Sequence, residues 1–200
     1  KTIINYKNLI MKKLLIAVIV LATFAGCKKG ENDPFLSFRS RDARVVGEWK
    51  VSSYAYDEAS VNGNNTTTVK VAYDGSNYSS TNSNANPPVD KGTYAIMFEM
   101  LKDGTLKYTQ TRTEGNSSAT TVQEGNWAWM DSRKNKSIIN LSVSGDQINN
   151  NYIQGGTYIV DQLKNKEIVL TQAFSNSFES SGAAGTKISF KSNSTLTLTQ

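Results

Sequence analysis

Few residues in this 200-residue chain can do chemistry, and Cys27, its one thiol, is the sharpest of them. It follows Phe24-Ala25-Gly26, where apolar residues give way to small ones. With no second cysteine an intramolecular disulfide cannot form, and a free thiol in an oxidising compartment is a liability. The chain has no histidine. That removes the commonest general base and the commonest transition-metal ligand. Ser-His-Asp and Cys-His catalysis go with it, as do the usual zinc sites. No Asp-x-Asp-x-Asp calcium loop is present, and Asp74, Asp103, Asp131 and Asp146 sit at turn signals, where Asp suits the backbone. Carboxylate chemistry remains. Glu99, Glu124 and Asp161 fall in strand-like segments, and a pair inside a barrel could work as acid and base, as glycoside hydrolysis requires. Nothing in their spacing gathers them, so outward, solvated carboxylates are expected. The sequence thus points to a non-enzymatic protein with no catalytic residue, metal site or cofactor.

The aromatic residues offer binding rather than catalysis. Trp127 and Trp129 are two apart, so on a strand they share a face with Gln123 and Gly125. Turned outward, paired indoles could stack on sugar rings or an apolar ligand; turned inward they are core, which is the expectation. Tyr54 and Tyr56 form a second same-side pair, of a kind seen at wet binding surfaces and equally on ordinary strands. Tyr94, Ile96, Phe98 and Met100 alternate along one face, as the wall of a core or of a greasy cavity. Trp127, Trp129, Tyr94 and Phe98 are therefore the candidate ligand contacts.

The segment before Cys27 has its own logic. Lys12 and Lys13 supply a positive start, and Leu14 to Ala25 an apolar run too short for a bilayer, which needs roughly 20 apolar residues. Ala25-Gly26-Cys27 resembles the lipobox, where small residues fit the processing peptidase and the thiol takes the lipid. Residues 1–26 then read as an upstream extension to Ile10 followed by a lipoprotein signal peptide. The mature chain begins at an acylated Cys27. The alternatives are an uncleaved anchor, or an ordinary signal with a chance cysteine. Each buried CH₂ adds about 0.8 kcal/mol, so several acyl chains give stable membrane attachment.

Processing changes the charge. Residues 1–26 hold four lysines and no acid, so the 22 basic and 17 acidic residues of the whole chain fall to 18 against 17 after Gly26. No run of Lys or Arg interleaved with aromatics follows Lys29, which argues against nucleic acid as a partner. Residues 27–44 read as a tether. Its Phe35, Leu36 and Phe38 could dock on a domain, or a short helical turn ending near Arg44 could close the bottom of a barrel. Residues 45–200 read as one domain.

That domain alternates with period two, the mark of strands with one buried face. The expected strands are Val45–Tyr56, Thr66–Tyr73, Thr93–Leu101, Leu106–Thr113, Thr121–Met130, Ser137–Ser144, Thr157–Leu163, Glu167–Ala173, Thr186–Lys191 and Leu196–Thr199. Lys102-Asp103-Gly104 and Lys164-Asn165 supply tight turns. Gly75–Pro88 and Ser175–Gly185 are polar and low in complexity, so they are expected as mobile loops, either tolerated insertions or binding loops. The fold class is all-β, an antiparallel meander of about 8–10 strands closed as a barrel.

Val46-Gly47-Glu48-Trp49-Lys50-Val51 opens this domain with Gly-x-Trp at the first strand. Phe98-Glu99-Met100, Lys102-Asp103-Gly104-Thr105, Gly125-Asn126-Trp127-Ala128-Trp129, Ile138-Ile139-Asn140-Leu141 and Tyr158-Ile159-Val160-Asp161-Gln162-Leu163 follow in order. The series resembles the lipocalin-like lipoproteins of Bacteroides-type bacteria. The resemblance implies a small antiparallel barrel, often with a ligand cavity, held by lipid at the outer membrane. It also implies Gly47 and Trp49 as closure residues, with Gly47 bending the chain and Trp49 plugging the barrel end. In larger lipocalins an Arg late in the barrel packs on that tryptophan; here the final strands offer only Lys187 and Lys191. The expected partners are the membrane through Cys27 and a small hydrophobic or glycan ligand. The alternative is an envelope protein partner, with the chain acting as an interaction module or inhibitor through its polar loops. Lys28-Lys29-Gly30-Glu31-Asn32-Asp33 is mixed in charge, which leaves the periplasmic face and the cell surface both open.

Overall fold

A computed structural model of the chain describes Asp33 and residues 39–84, 89–131, 136–143, 153, 155–179 and 187–200. Cys27, the signal segment before it, and Phe35, Leu36 and Phe38 lie outside these residues. One short helix, α1 (Arg41–Val45), precedes ten strands. They are β1 (Gly47–Asn62), β2 (Asn65–Tyr73), β3 (Asn77–Asn82), β4 (Val89–Met100) and β5 (Thr105–Glu114). Then come β6 (Ser117–Trp129), β7 (Ile138–Val143), β8 (Gly156–Leu163), β9 (Glu167–Glu179) and β10 (Lys187–Thr199). Every pairing is antiparallel, and the sheet closes as a barrel in the order β1-β10-β9-β8-β7-β6-β5-β4-β3-β2.

The two ends differ. β1 pairs directly with β4 through Gly47↔Met100 to Lys50↔Met97, then leaves it and pairs with β2 from Tyr54↔Tyr73 onward. The β2–β3 hairpin is thus wedged into a seam already sealed at one end. The sealed end is ringed by eight strands; β2 and β3 enter the wall only beyond it, where β6 and β9 run on past β7 and β8. The start of β1, the β4–β5, β6–β7 and β8–β9 connections, and the chain's last residue gather at the narrow end.

Alternation explains which side chains fill it. Trp49, Met100, Leu106, Leu163, Leu170 and Leu198 have no surface that a water could touch. Their inward positions bury large apolar area, and each fully buried side chain of this size stabilises the fold by roughly 1.5–3 kcal/mol. Trp49 also donates its indole N–H to the Val45 carbonyl at 2.7 Å, which fixes the end of α1 on the barrel. Gly47 has φ +144°, and a Cβ there would meet the Gln200 amide at 2.8 Å. At Gly125 the neighbouring strand approaches so closely that a Cβ would lie 1.9 Å from the Ser142 carbonyl oxygen.

Several sequence expectations need correction. The first strand starts at Gly47 rather than Val45, because Arg41–Val45 is helical. Ser40 caps that helix by accepting from the Ala43 N–H. The expected loop Gly75–Pro88 contains β3, which pairs with both β2 and β4 and buries Tyr78. β9 runs on to Glu179, into the expected loop Ser175–Gly185. Thr186–Lys191 and Leu196–Thr199 are parts of a single strand, β10, paired on both sides through its polar middle. One strand unseen and one strand split leave the total at ten.

Trp49→Ala is expected to cost about 3–5 kcal/mol of unfolding free energy, as such core truncations do. Gly125→Ala is expected to destabilise the fold too, since strand backbone rather than a movable side chain occupies the space. Urea denaturation midpoints of the two variants check both.

Candidate functional site

The inward face changes character along the barrel. Above the aliphatic narrow end stands a layer of tyrosines: Tyr54, Tyr56, Tyr73, Tyr78, Tyr94, Tyr108 and Tyr158 are all buried. Three of their hydroxyls hydrogen-bond to a backbone carbonyl or a polar side chain. Tyr73 donates to the Tyr94 carbonyl at 3.0 Å, Tyr108 to Gln110 Oε1 at 2.6 Å, and Tyr56 to Glu58 Oε2. Burial pushes the Tyr158 hydroxyl up to about 12, against a smaller opposing effect of its contact with Ser194. Tyr158 therefore stays a neutral phenol at physiological pH.

Of the sequence candidates, Tyr94 and Phe98 lie in this packed interior at 2% and 3% exposure. Tyr94 meets Tyr78 edge-on at 5.7 Å between ring centroids, and Phe98 meets Tyr108 at 5.3 Å. Tyr54 and Tyr56 point inward with them rather than onto a wet surface. Glu99 and Glu124 flank Lys107 across three strands on the outside, with Glu99 3.9 Å from the Lys107 ammonium. Asp161 sits in the β8 bulge, with β7 between it and Glu124. The three carboxylates are not brought together.

Trp127 and Trp129 emerge at the narrow end, beside α1. Trp127 is buried and donates its indole N–H to the Leu101 carbonyl at 2.8 Å. Trp129 donates to Asp42 Oδ1 at 2.8 Å, and the Arg41 guanidinium lies 5.9 Å above its ring. The two indoles meet edge-on at 86° and 6.3 Å. A perpendicular pair offers no flat two-ring platform for a sugar; it clamps α1 to β6 instead. Trp127, however, walls a groove of about 620 Å³. Val46 and Ala43 continue its apolar lining, and Arg39, Ser40, Asp42 and Lys102 supply polar groups. A second hollow of about 490 Å³ lies outside the β2–β3 turn, between Asp74, Asn77 and Lys91, and is more open and more polar. A volume of 620 Å³ with a mostly apolar wall and a few charged groups is typical of small-molecule sites.

An ionic latch beneath the groove was illegible in the sequence. The Asp33 side chain has no exposed surface and accepts from the Leu163 backbone N–H at 2.7 Å. Its other oxygen lies 3.6 Å from the guanidinium groups of both Arg41 and Arg44. Arg44 donates in turn to the Leu163 carbonyl. These partners stand 119 to 130 positions from Leu163 in sequence, so no local spacing signals them. The buried arginine at the closed end thus comes from α1 and not from a late strand.

Asp42 ties the latch to the groove. Burial works against its carboxylate, but hydrogen bonds from Lys136 and Trp129 and the Lys136 charge outweigh that and lower its pKa below the ordinary aspartate range. Among the described residues no group of three or more His, Cys, Asp or Glu is placed to hold a metal ion. No protein-family model, curated protein or solved structure matches this chain.

A carboxyl whose folded pKa is depressed stabilises the fold above its unfolded pKa and loses that effect as pH falls through the folded value. Asp42→Asn is therefore expected to lower the urea midpoint at neutral pH. The gap from the parent protein should close as pH drops below about 4. A gap that stays constant on acidification would assign the loss to packing.

Proposed function

We propose that this is a non-enzymatic binding protein of the bacterial envelope. It is lipid-anchored through Cys27 at the outer membrane, and it takes a small amphiphilic ligand, hydrophobic or glycan in character. The barrel and the ordered series from Gly47-Glu48-Trp49 to Leu163 support its likeness to lipocalin-like lipoproteins. The observation that carries the binding role is the groove between α1 and the barrel base. An apolar wall of Trp127, Val46 and Ala43 suits an acyl chain or a sugar face. Arg39 and Lys102 at its margin suit an anionic head. The narrow half of the interior is taken up by its own side chains, since Trp49, Met100, Leu106, Leu163, Leu170 and Leu198 have no exposed surface.

A protein-interaction role is the second reading, and one feature favours it. Beyond the core, Arg112–Glu114 of β5 and Ser117–Val122 of β6 are exposed on both faces. On β9, residues 173–177 are likewise exposed, Phe174 among them. Such strands offer polar surface and two apolar side chains, Val122 and Phe174, to a partner.

Ala43 is exposed on α1 and lines the groove, so Ala43→Trp fills it without touching the core. Titration of the chain with dodecyl phosphate, a single-chain anionic amphiphile, checks the site. Ala43→Trp is expected to weaken binding about 10-fold or more, which is roughly 1.4 kcal/mol, at an unchanged melting temperature. Phe174→Ser, at the opposite end, is expected to bind as the parent does. Equal binding by Ala43→Trp would remove the groove as the site.

A further inference from the structure

The closed end of the barrel carries a second property, visible when the latch, the exposed side chains and the chain before them are taken together. Asp33 is buried against Leu163 and the two arginines, so the polypeptide is pinned to the barrel base at that residue. Only five residues, Lys28 to Asn32, separate it from Cys27. Fully extended, that span reaches about 20 Å. With Cys27 acylated, the base cannot stand farther than this from the lipid headgroups.

The same end exposes two large apolar side chains in its connections. Leu101, in the β4–β5 turn, is 40% exposed, and Met130, just past β6, is 60% exposed. Leu101 adjoins Trp127 through the indole hydrogen bond, and Met130 follows Trp129 directly. Lys102, Lys164 and Lys166 lie in the turns of this end. Asp103 accepts from the Thr105 N–H and Glu167 pairs with Lys164, so the three lysines of those turns stand against two carboxylates. Protruding aliphatics and lysines beside a partly exposed tryptophan, Trp129, are the composition of a membrane interface.

From this placement we infer that the narrow end is a membrane-seating surface: it rests on the bilayer, Leu101 and Met130 enter the headgroup region, and the groove of Trp127 opens toward the lipid. The partner is a phospholipid surface, and the barrel stands upright with its opposite end directed away from it. An amphiphile can then pass into the groove from the bilayer without crossing water.

The inference rests on Cys27 acylation, and its test keeps the two apart. The full chain, expressed with its signal so that Cys27 is processed, carries Met130→Cys, Leu101→Cys or, at the far end, Phe174→Cys. Each new thiol is labelled with an environment-sensitive fluorophore, and the protein is reconstituted in phosphatidylethanolamine and phosphatidylglycerol vesicles. Seating predicts blue-shifted emission at positions 130 and 101, quenched by nitroxide-bearing lipid, and water-like emission at 174. Water-like emission at all three in protein that floats with the vesicles overturns the seating and leaves the anchor standing. Protein that stays behind, with Cys27 itself open to the dye, overturns the anchor and the seating together.

Discussion

Closure of one barrel end governs the rest of this molecule. Over four residues, Gly47 to Lys50, β1 takes β4 as its direct neighbour, and only above that point does the wall open to admit β2 and β3. The ring is tight there because Gly47 accepts a backbone angle that other residues rarely adopt, and because Trp49 fills the interior and hydrogen-bonds to Val45. That bond seats α1, and α1 in turn makes one wall of the groove. Without the closure there would be neither a fixed helix nor a groove beside Trp127.

Burial separates the side chains that hold the fold from those a ligand could reach. The narrow half is packed by buried apolar side chains, of which Trp49, Met100, Leu106, Leu163, Leu170 and Leu198 have no exposed surface. In the tyrosine layer above it, the hydroxyls of Tyr56, Tyr73 and Tyr108 donate to Glu58, the Tyr94 carbonyl and Gln110. Binding energy is then available where side chains remain incompletely covered: in the groove, on the turns at the closed end, and on strands that outrun the core. The buried cluster of Asp33, Arg41 and Arg44 belongs to the structural side. Such a cluster contributes little net stability, but replacing one member leaves an uncompensated buried charge, so it fixes Asp33 against α1 and Leu163.

Much of this architecture was legible in the sequence where burial alternated cleanly. Tyr94, Ile96, Phe98 and Met100 announced β4, and Asp103-Gly104 announced the turn after it, where Asp103 caps the Thr105 N–H. β3 was hidden because Tyr78 is its one apolar residue, and its pairing partners supply the reason it is a strand. The middle of β10 was hidden likewise by Ser192, Asn193 and Ser194. Tyr54 and Tyr56 were misjudged for a subtler reason. A bulge between Val51 and Ser53 shifts the phase of β1, so the inward residues pass from odd positions, Trp49 and Val51, to even ones. Strict period two cannot foresee that step. The groove was legible only in part: Trp127 was a candidate, but Val46, Ala43, Arg39 and Lys102 meet it through tertiary packing.

The claim at the centre of this account is that small ligands meet the protein in the groove outside the closed end and not within the barrel. Indole ¹⁵N–¹H resonances of the three tryptophans, followed by NMR as dodecyl phosphate is added, test it most directly. The account predicts movement of the Trp127 resonance with the Trp49 resonance unmoved. A shift of Trp49, with broadening of the ring signals from the interior tyrosines, would place the ligand inside the barrel and contradict it.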